Sequence, residues 1–221
     1  MPDAVVFDLD GVLLDSEQRW NEAKEEVTTA AGGRWRDDAA TAMMGMSSPE
    51  WSAYMRDELR VPCEPEQINE LVVERMAAGY AEELPLLPGA IDSVEALAAR
   101  WPLGLASSSN REIIDAFLDL SGLRDCFGVT ISSEEVGRGK PSPDVYLEVA
   151  GRLGADAGRC IAVEDSANGL RAAAAAGMAV IAVPNPHYPP PADALALAAA
   201  AVATPGEVTV ALVERVADSP P

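Results

Sequence analysis

The sequence predicts a doubly wound parallel α/β sheet interrupted by a single all-helical insertion. Short apolar runs recur along the chain without polar alternation, as strands buried on both faces require. Helical repeats separate them, which is the alternation of a sheet with helices on its faces. One interval, from Asp15 to Pro88, holds roughly 70 residues with no strand pattern, where a strand-to-helix connection normally takes about 2–6.

In chain order, the first strand is Ala4–Phe7, followed by a turn at Asp8 to Gly11. The long interval then reads as helices over about 17–31, 37–44, 49–59 and 66–83, punctuated by Pro62, Pro65 and the proline-rich run at 84–89. Further strands are expected at 103–106, 129–131, 161–163 and 179–183. Ile113, Ile114, Phe117 and Leu118 repeat at helical spacing, as do Tyr146, Val149, Ala150 and Leu153. For the latter helix Ser142 is a cap candidate, with Pro143 at the first helical position. Residues 1–15 and 88–217 thus form the sheet domain, residues 16–87 the helical insert, and residues 218–221 a disordered tail.

The formal net charge is −20, which repels a nucleic-acid backbone over the whole surface. Small phosphate esters are repelled too, so a phosphate site here needs a metal and a few local cations. The three cysteines are far apart and form no Cys-x-x-Cys pair, against both a disulfide framework and a zinc site. No apolar run is long enough for a membrane span, and the first residues lack the basic region of a signal peptide. The expectation is a cytoplasmic protein, a monomer or weak homodimer.

Ligands of an open α/β sheet bind at the carboxyl ends of its strands. Four clusters stand there: Asp8-Leu9-Asp10-Gly11, Ser107-Ser108-Ser109-Asn110, Gly139-Lys140-Pro141 and Glu164-Asp165-Ser166. Asp8 and Asp10, two residues apart, can face one crevice. Four carboxylates with no histidine or thiolate nearby favour Mg²⁺. Taken singly, each acid is equally well a cap or turn residue, Ser107 to Asn110 a plain helix start, and Lys140 a surface lysine. Their order and co-occurrence carry the information.

Asp-x-Asp-Gly-Val-Leu-x-Asp-Ser-Glu at 8–17, Ser107, Lys140 in Gly-Lys-Pro-x-Pro, and Glu164-Asp165-Ser166 with Asn168-Gly169 together resemble the four signatures of the haloacid dehalogenase-like superfamily. The insert resembles the helical cap of the subgroup holding small-molecule phosphatases and β-phosphoglucomutase. This resemblance implies that Asp8 is the nucleophile and Asp10 the acid and base. It implies Mg²⁺ on an Asp8 oxygen, the Asp10 carbonyl and Asp165, with Glu164 as a direct or water-mediated ligand. Ser107, the Ser108 amide and Lys140 would hold the phosphoryl oxygens, and Lys140 would keep Asp8 ionised. Asn110 and, from the insert, Glu17 join them as candidate substrate contacts, with Arg19 and Arg75 behind. Dehalogenases of the superfamily lack the acid at Asp10.

Trp20 stands where mutases of the subgroup carry a cap histidine, and Ser48 in the 44–48 loop where they carry an arginine. The resemblance therefore favours a phosphatase of small sugar or polyol phosphates over a mutase, and both over a phosphoacceptor module. Trp20, Trp35 and Trp51 read as packing of the insert, and His187, in a proline-rich loop, as structural.

Overall fold

The computed structural model describes residues 1–43, 46–186 and 189–218. His187 and the loop positions Met44 and Gly45 lie outside the described residues. The chain divides into two compact units, Met1–Asp15 with Pro85–Pro221, and Ser16–Leu84.

In the first unit β1 (Ala4–Phe7) leads to the second unit, whose helices are α1 (Glu17–Ala30), α2 (Ala39–Ala42), α3 (Ser48–Asp57) and α4 (Pro65–Glu82). The chain returns through α5 (Ala90–Ala98) and β2 (Leu103–Ser107), α6 (Arg111–Ser121) and β3 (Phe127–Ser132). It continues as α7 (Asp144–Leu153) and β4 (Cys160–Glu164), α8 (Ala167–Ala175) and β5 (Ala179–Ala182), and ends with α9 (Ala192–Leu195), β6 (Ala200–Ala201) and α10 (Val210–Asp218). The six strands form one parallel sheet in the order β3-β2-β1-β4-β5-β6. Val5 pairs with Leu103 on one side and Ile161 on the other, so β1 is central and every residue of β1 and β4 is buried. The strand order reverses beside β1, which opens a crevice at the carboxyl ends of β1, β2 and β4.

The expected strands are all present. β6 is additional: two alanines carry no periodic signal, and their pairing with Ile181 and Ala182 is set by the sheet edge. The chain re-enters the first unit at Pro85, three residues before the expected Pro88, because the two connecting segments pair with each other. Asp15 donates to the Pro85 carbonyl at 2.8 Å, Leu87 donates to Leu13 at 3.0 Å, and Leu14 bridges Leu86. Helix α7 starts one residue later than expected, with Pro143 preceding it and the Ser142 hydroxyl donating to the Asp144 carboxylate rather than capping the backbone. Asp218, expected to begin the tail, instead closes α10, and residues 219–221 lie outside the described residues.

In the second unit α4 packs against α1 and α3. Trp51, Met55, Ile68, Val72, Met76 and Tyr80 are buried there. The expected packing role holds for Trp51, whose ring lies 6.3 Å from that of Trp20, while Trp20 and Trp35 are half-buried. Lys24 lies over both the Trp20 and Trp51 rings, at 5.6 and 5.2 Å. Among the described residues no helix is long and apolar enough to cross a membrane.

Candidate active site

Four strand-end segments build the site in the first unit. After β1 the backbone turns sharply, with Leu13 and Leu14 donating to the Leu9 carbonyl at 2.8 and 3.1 Å. Gly11 makes the turn possible through its φ of +75°. It also admits a neighbour, since a Cβ there would stand 2.0 Å from Asp165 Oδ2. The loop after β1 and the end of β4 are thereby pressed together.

Lys140 reaches into this contact. Its Nζ donates to Asp8 Oδ1 at 2.8 Å and to Glu164 Oε1 at 2.6 Å, with the three side chains 5%, 9% and 0% exposed. The expected surface-loop alternative for Lys140 is thus overturned by its burial. Glu164 is further held by the Tyr146 hydroxyl at 2.6 Å on Oε1, and on Oε2 by the amides of Asp165 and Ser166 and the Ser166 hydroxyl, at 3.0, 3.3 and 3.3 Å. The glutamate lies so tightly under α8 that a Cβ on Gly169 would fall 1.8 Å from its Oε1. Tyr146 therefore belongs to the site, although its spacing marked it only as a residue on the buried face of α7.

Carboxylate oxygens of Asp8, Glu164 and Asp165 lie within 4.8 Å of one another, all buried. Burial first, then the Glu164 charge, pushes Asp8 up to about 7, although Lys140 opposes the shift. Lys140 works in the expected direction, favouring the ionised form of Asp8, and burial works against it as the larger effect. Asp165 is raised well above the usual carboxylate range by burial and by the Glu164 and Asp8 charges. Lys140 itself is held charged: burial works against its cation, and Asp8 and Glu164 together overcome that. Three buried carboxylates around one lysine leave a deficit of positive charge. Their hard oxygen donors fit a divalent metal ion better than any soft one.

The loop after β2 supplies the opposite wall. Ser107 is buried, and its hydroxyl oxygen accepts the Ser109 amide at 2.9 Å, which leaves its O–H as a donor. Ser108 is exposed. The Ser109 hydroxyl donates to Asp10 Oδ2 at 2.5 Å, which ties this loop to the loop after β1. Asn110 is buried and its side-chain nitrogen donates to Glu134 at 2.7 Å, on the β3 side.

The remaining candidates belong to the second unit. Glu17 opens α1. Arg19 pairs with Glu83 at 3.0 Å, and Arg75 pairs with Glu26. The cavity between these arginines is about 40 Å³, room for about one water and not for a sugar.

Comparison with known proteins agrees with this geometry. Residues 2–177 match the family model described as haloacid dehalogenase-like hydrolase. Hexitol phosphatase B of Escherichia coli (strain K12) is 36% identical over 189 residues, covering 83% of this chain and 84% of that protein. The bifunctional riboflavin kinase/FMN phosphatase of Arabidopsis thaliana is 32% identical over 183 residues, 82% of this chain. The chain spans only about half of that relative, 48% of its length. The crystal structure of CbbY from Rhodobacter sphaeroides in complex with phosphate matches with a TM-score of 0.85 at 28% identity, covering 97% of this chain and 100% of that one. A match of this extent, on a chain whose four motif segments meet at one end of a parallel sheet, makes the chain a member of the haloacid dehalogenase-like hydrolase family.

Proposed function

We propose that the chain is a Mg²⁺-dependent phosphatase that hydrolyses small phosphate monoesters, sugar or polyol phosphates, through an aspartyl-phosphate on Asp8. The observation that carries this reading is the buried bridge of Lys140 between Asp8 and Glu164, beside Asp165. It supplies a nucleophile, a cation for phosphoryl oxygens and an acidic cluster short of positive charge. Asp8, Asp165 and the Asp10 carbonyl would hold the metal, which when bound neutralises charge between the nucleophile and the anionic substrate. Glu164, whose oxygens already accept from Lys140, Tyr146 and the Asp165 and Ser166 groups, acts behind it by fixing Lys140 and the β4 end.

An Asp8 oxygen attacks phosphorus while Lys140, Ser107 and the Ser108 amide hold the phosphoryl oxygens. As the bond to the leaving oxygen breaks, Asp10 gives that oxygen its proton. Asp10, now a carboxylate, takes a proton from the water that attacks the phosphoryl group, releasing phosphate and restoring Asp8. By its resemblance to a cap, the helical insert would select the leaving group, with Glu17 its candidate contact. Arg19 and Arg75, engaged by glutamates, are weaker choices.

The substrate class rests on relatives named hexitol phosphatase B and, from Thermotoga maritima, phosphorylated carbohydrates phosphatase. Mutase chemistry is disfavoured because Trp20 and Ser48 replace the histidine and arginine of the mutase cap. We assign the chain to the cytoplasm, where its free Cys63, Cys126 and Cys160 stay reduced, and no nucleic-acid partner suits a charge of −20.

The test is turnover of a panel of phosphorylated hexitols, pentoses and p-nitrophenyl phosphate, with Mg²⁺ and with EDTA. Mg²⁺ is expected to support release of inorganic phosphate, EDTA to abolish it, and Asp8→Asn to eliminate it. Turnover that survives chelation would sink the metal assignment. Conversion of β-glucose 1-phosphate mainly to glucose 6-phosphate would sink the phosphatase.

A further inference from the structure

We infer that Asp144 is a positioning residue for Lys140: its carboxylate closes the surface loop from which the buried lysine reaches Asp8 and Glu164. The inference deepens the reading of Lys140 as the cation for the phosphoryl oxygens, and rests on it.

Lys140 joins a buried end to a weakly packed origin. Its side chain is 5% exposed, yet the loop that carries it runs over the surface, with Gly137, Arg138 and Pro141 exposed. Gly137 and Gly139 stand just before the lysine, and glycine leaves a backbone freer than any other residue does. A Cβ would meet nothing closer than 3.7 Å at Gly137 or 3.8 Å at Gly139, so crowding does not fix this stretch either. Hydrogen bonds must order it.

Asp144 collects those bonds. Arg138, two residues before the lysine, donates to its carboxylate from Nε at 3.2 Å and from Nη2 at 3.0 Å. Ser142, two residues after the lysine, donates to it from the hydroxyl at 2.6 Å. The Ser142 amide also donates to the Gly139 carbonyl at 3.0 Å, which closes the turn around Lys140. One carboxylate thus ties both flanks of the lysine to the start of α7. Arg138 is 74% exposed and a pair with water around it contributes little, so Ser142 is the stronger tie. The same helix carries Tyr146, which donates to Glu164 Oε1, the oxygen that Lys140 also binds. The start of α7 therefore sets both the lysine and the acceptor it meets. A lysine stem is flexible, so its ammonium is placed only if its backbone is. Misplacing a reacting group by about 1 Å can cost about 10²-fold in rate.

The sequence makes a direct readout possible, because Lys24 and Lys140 are its two lysines. Protein grown on lysine labelled with ¹⁵N at Nζ shows at most two ammonium signals, and Lys140→Arg assigns them. Lys24, buried in the second unit over the Trp20 and Trp51 rings, is the internal control. With Mg²⁺ present, the Lys140 signal of the parent is expected to be sharp and slow to exchange with water. In Asp144→Ala it should broaden or vanish while the Lys24 signal stays. The kcat/KM values for p-nitrophenyl phosphate and for a hexitol phosphate should fall together, by about 10-fold, within the cost of a misplaced group. Asp144→Asn, which keeps an oxygen to accept from Ser142, is expected to stay within about 3-fold of the parent. If Asp144→Ala does not fold, Ser142→Ala must produce the same selective loss of the Lys140 signal. A Lys140 signal unchanged in the folded variant overturns the inference, as does one already lost to exchange in the parent, or a lost signal with kcat/KM intact. A Lys140→Ala protein that keeps the parent kcat/KM would instead sink the reading of Lys140 itself, and the inference with it.

Discussion

A hydrogen bond to a charged acceptor contributes about 1.5–3 kcal/mol, and Tyr146 makes one to Glu164 beside Lys140. Burial and the Glu164 charge raise the phenol well above its ordinary value, so it stays a donor. Tyr146→Phe keeps the ring over which Lys140 lies and removes only that donor. Glu164 then draws more heavily on Lys140, at the expense of Asp8. The expected outcome is a melting midpoint lower by about 3–8 °C, from about 1.5–2 kcal/mol at about 2–4 °C per kcal/mol, with kcat reduced several-fold. Calorimetry and steady-state kinetics check it. An unchanged kcat would show that Glu164 holds Lys140 without help. Asp8, Asp10, Lys140, Glu164 and Asp165 were legible in the sequence because they fall at predicted strand ends in a known order. Tyr146 was not, because helical spacing reports which face is buried and not where a hydroxyl points. Nor could spacing choose Ser109 from three consecutive serines.

At the scale of elements, two glycines in helices make opposite demands. Gly151 lies exposed in α7, with open space where a Cβ would go. Alanine there should follow the general preference for helix, adding about 0.5–1 kcal/mol. Gly169 lies in the first turn of α8, where a Cβ would meet the Glu164 carboxylate carbon at 1.9 Å. Gly169→Ala must push aside a carboxylate that anchors Lys140, so about 3 kcal/mol should be lost, about 6–12 °C in melting midpoint, and activity with it. A Gly169→Ala protein that melts at or above the parent would show that α8 does not press on Glu164. The elements themselves were legible where the apolar pattern is strong, in the unbroken runs of β1 and β4 and in the helical spacing of α6, whose buried face carries Ile113, Ile114, Phe117 and Leu118. β6 was not legible, because its pairing comes from the sheet edge and not from its own two alanines. The return point at Pro85 was missed because it depends on pairing with residues 13–15, a contact far apart in the sequence.

Over the whole molecule, the net charge of −20 includes the buried carboxylates of Asp8, Glu164 and Asp165, and a proton and a metal ion would compete for their oxygens. Without a metal, burial and the Glu164 charge push Asp8 up to about 7 from an ordinary 3.8. Between those values the folded protein holds a proton that the unfolded chain has released. Unfolding therefore sheds a proton, and the stability contributed by this group is present below about 4 and lost as pH rises through 7. Asp165, also raised, acts in the same direction. Metal binding needs the ionised carboxylates, so its stabilising effect should grow over the same window. The expected result is a metal-free melting midpoint that falls from pH 5 to pH 8 at constant ionic strength, and a rise on adding Mg²⁺ that is larger at pH 8 than at pH 5. General repulsion among surface carboxylates also lowers stability with pH, so the decisive comparison is with Asp8→Asn. That variant should show a shallower decline without metal and a smaller, less pH-dependent response to Mg²⁺. A Mg²⁺ increment that is equal at pH 5 and pH 8, or a slope unchanged by Asp8→Asn, would remove the acidic cluster from the account of the metal and leave the decline to surface charge alone.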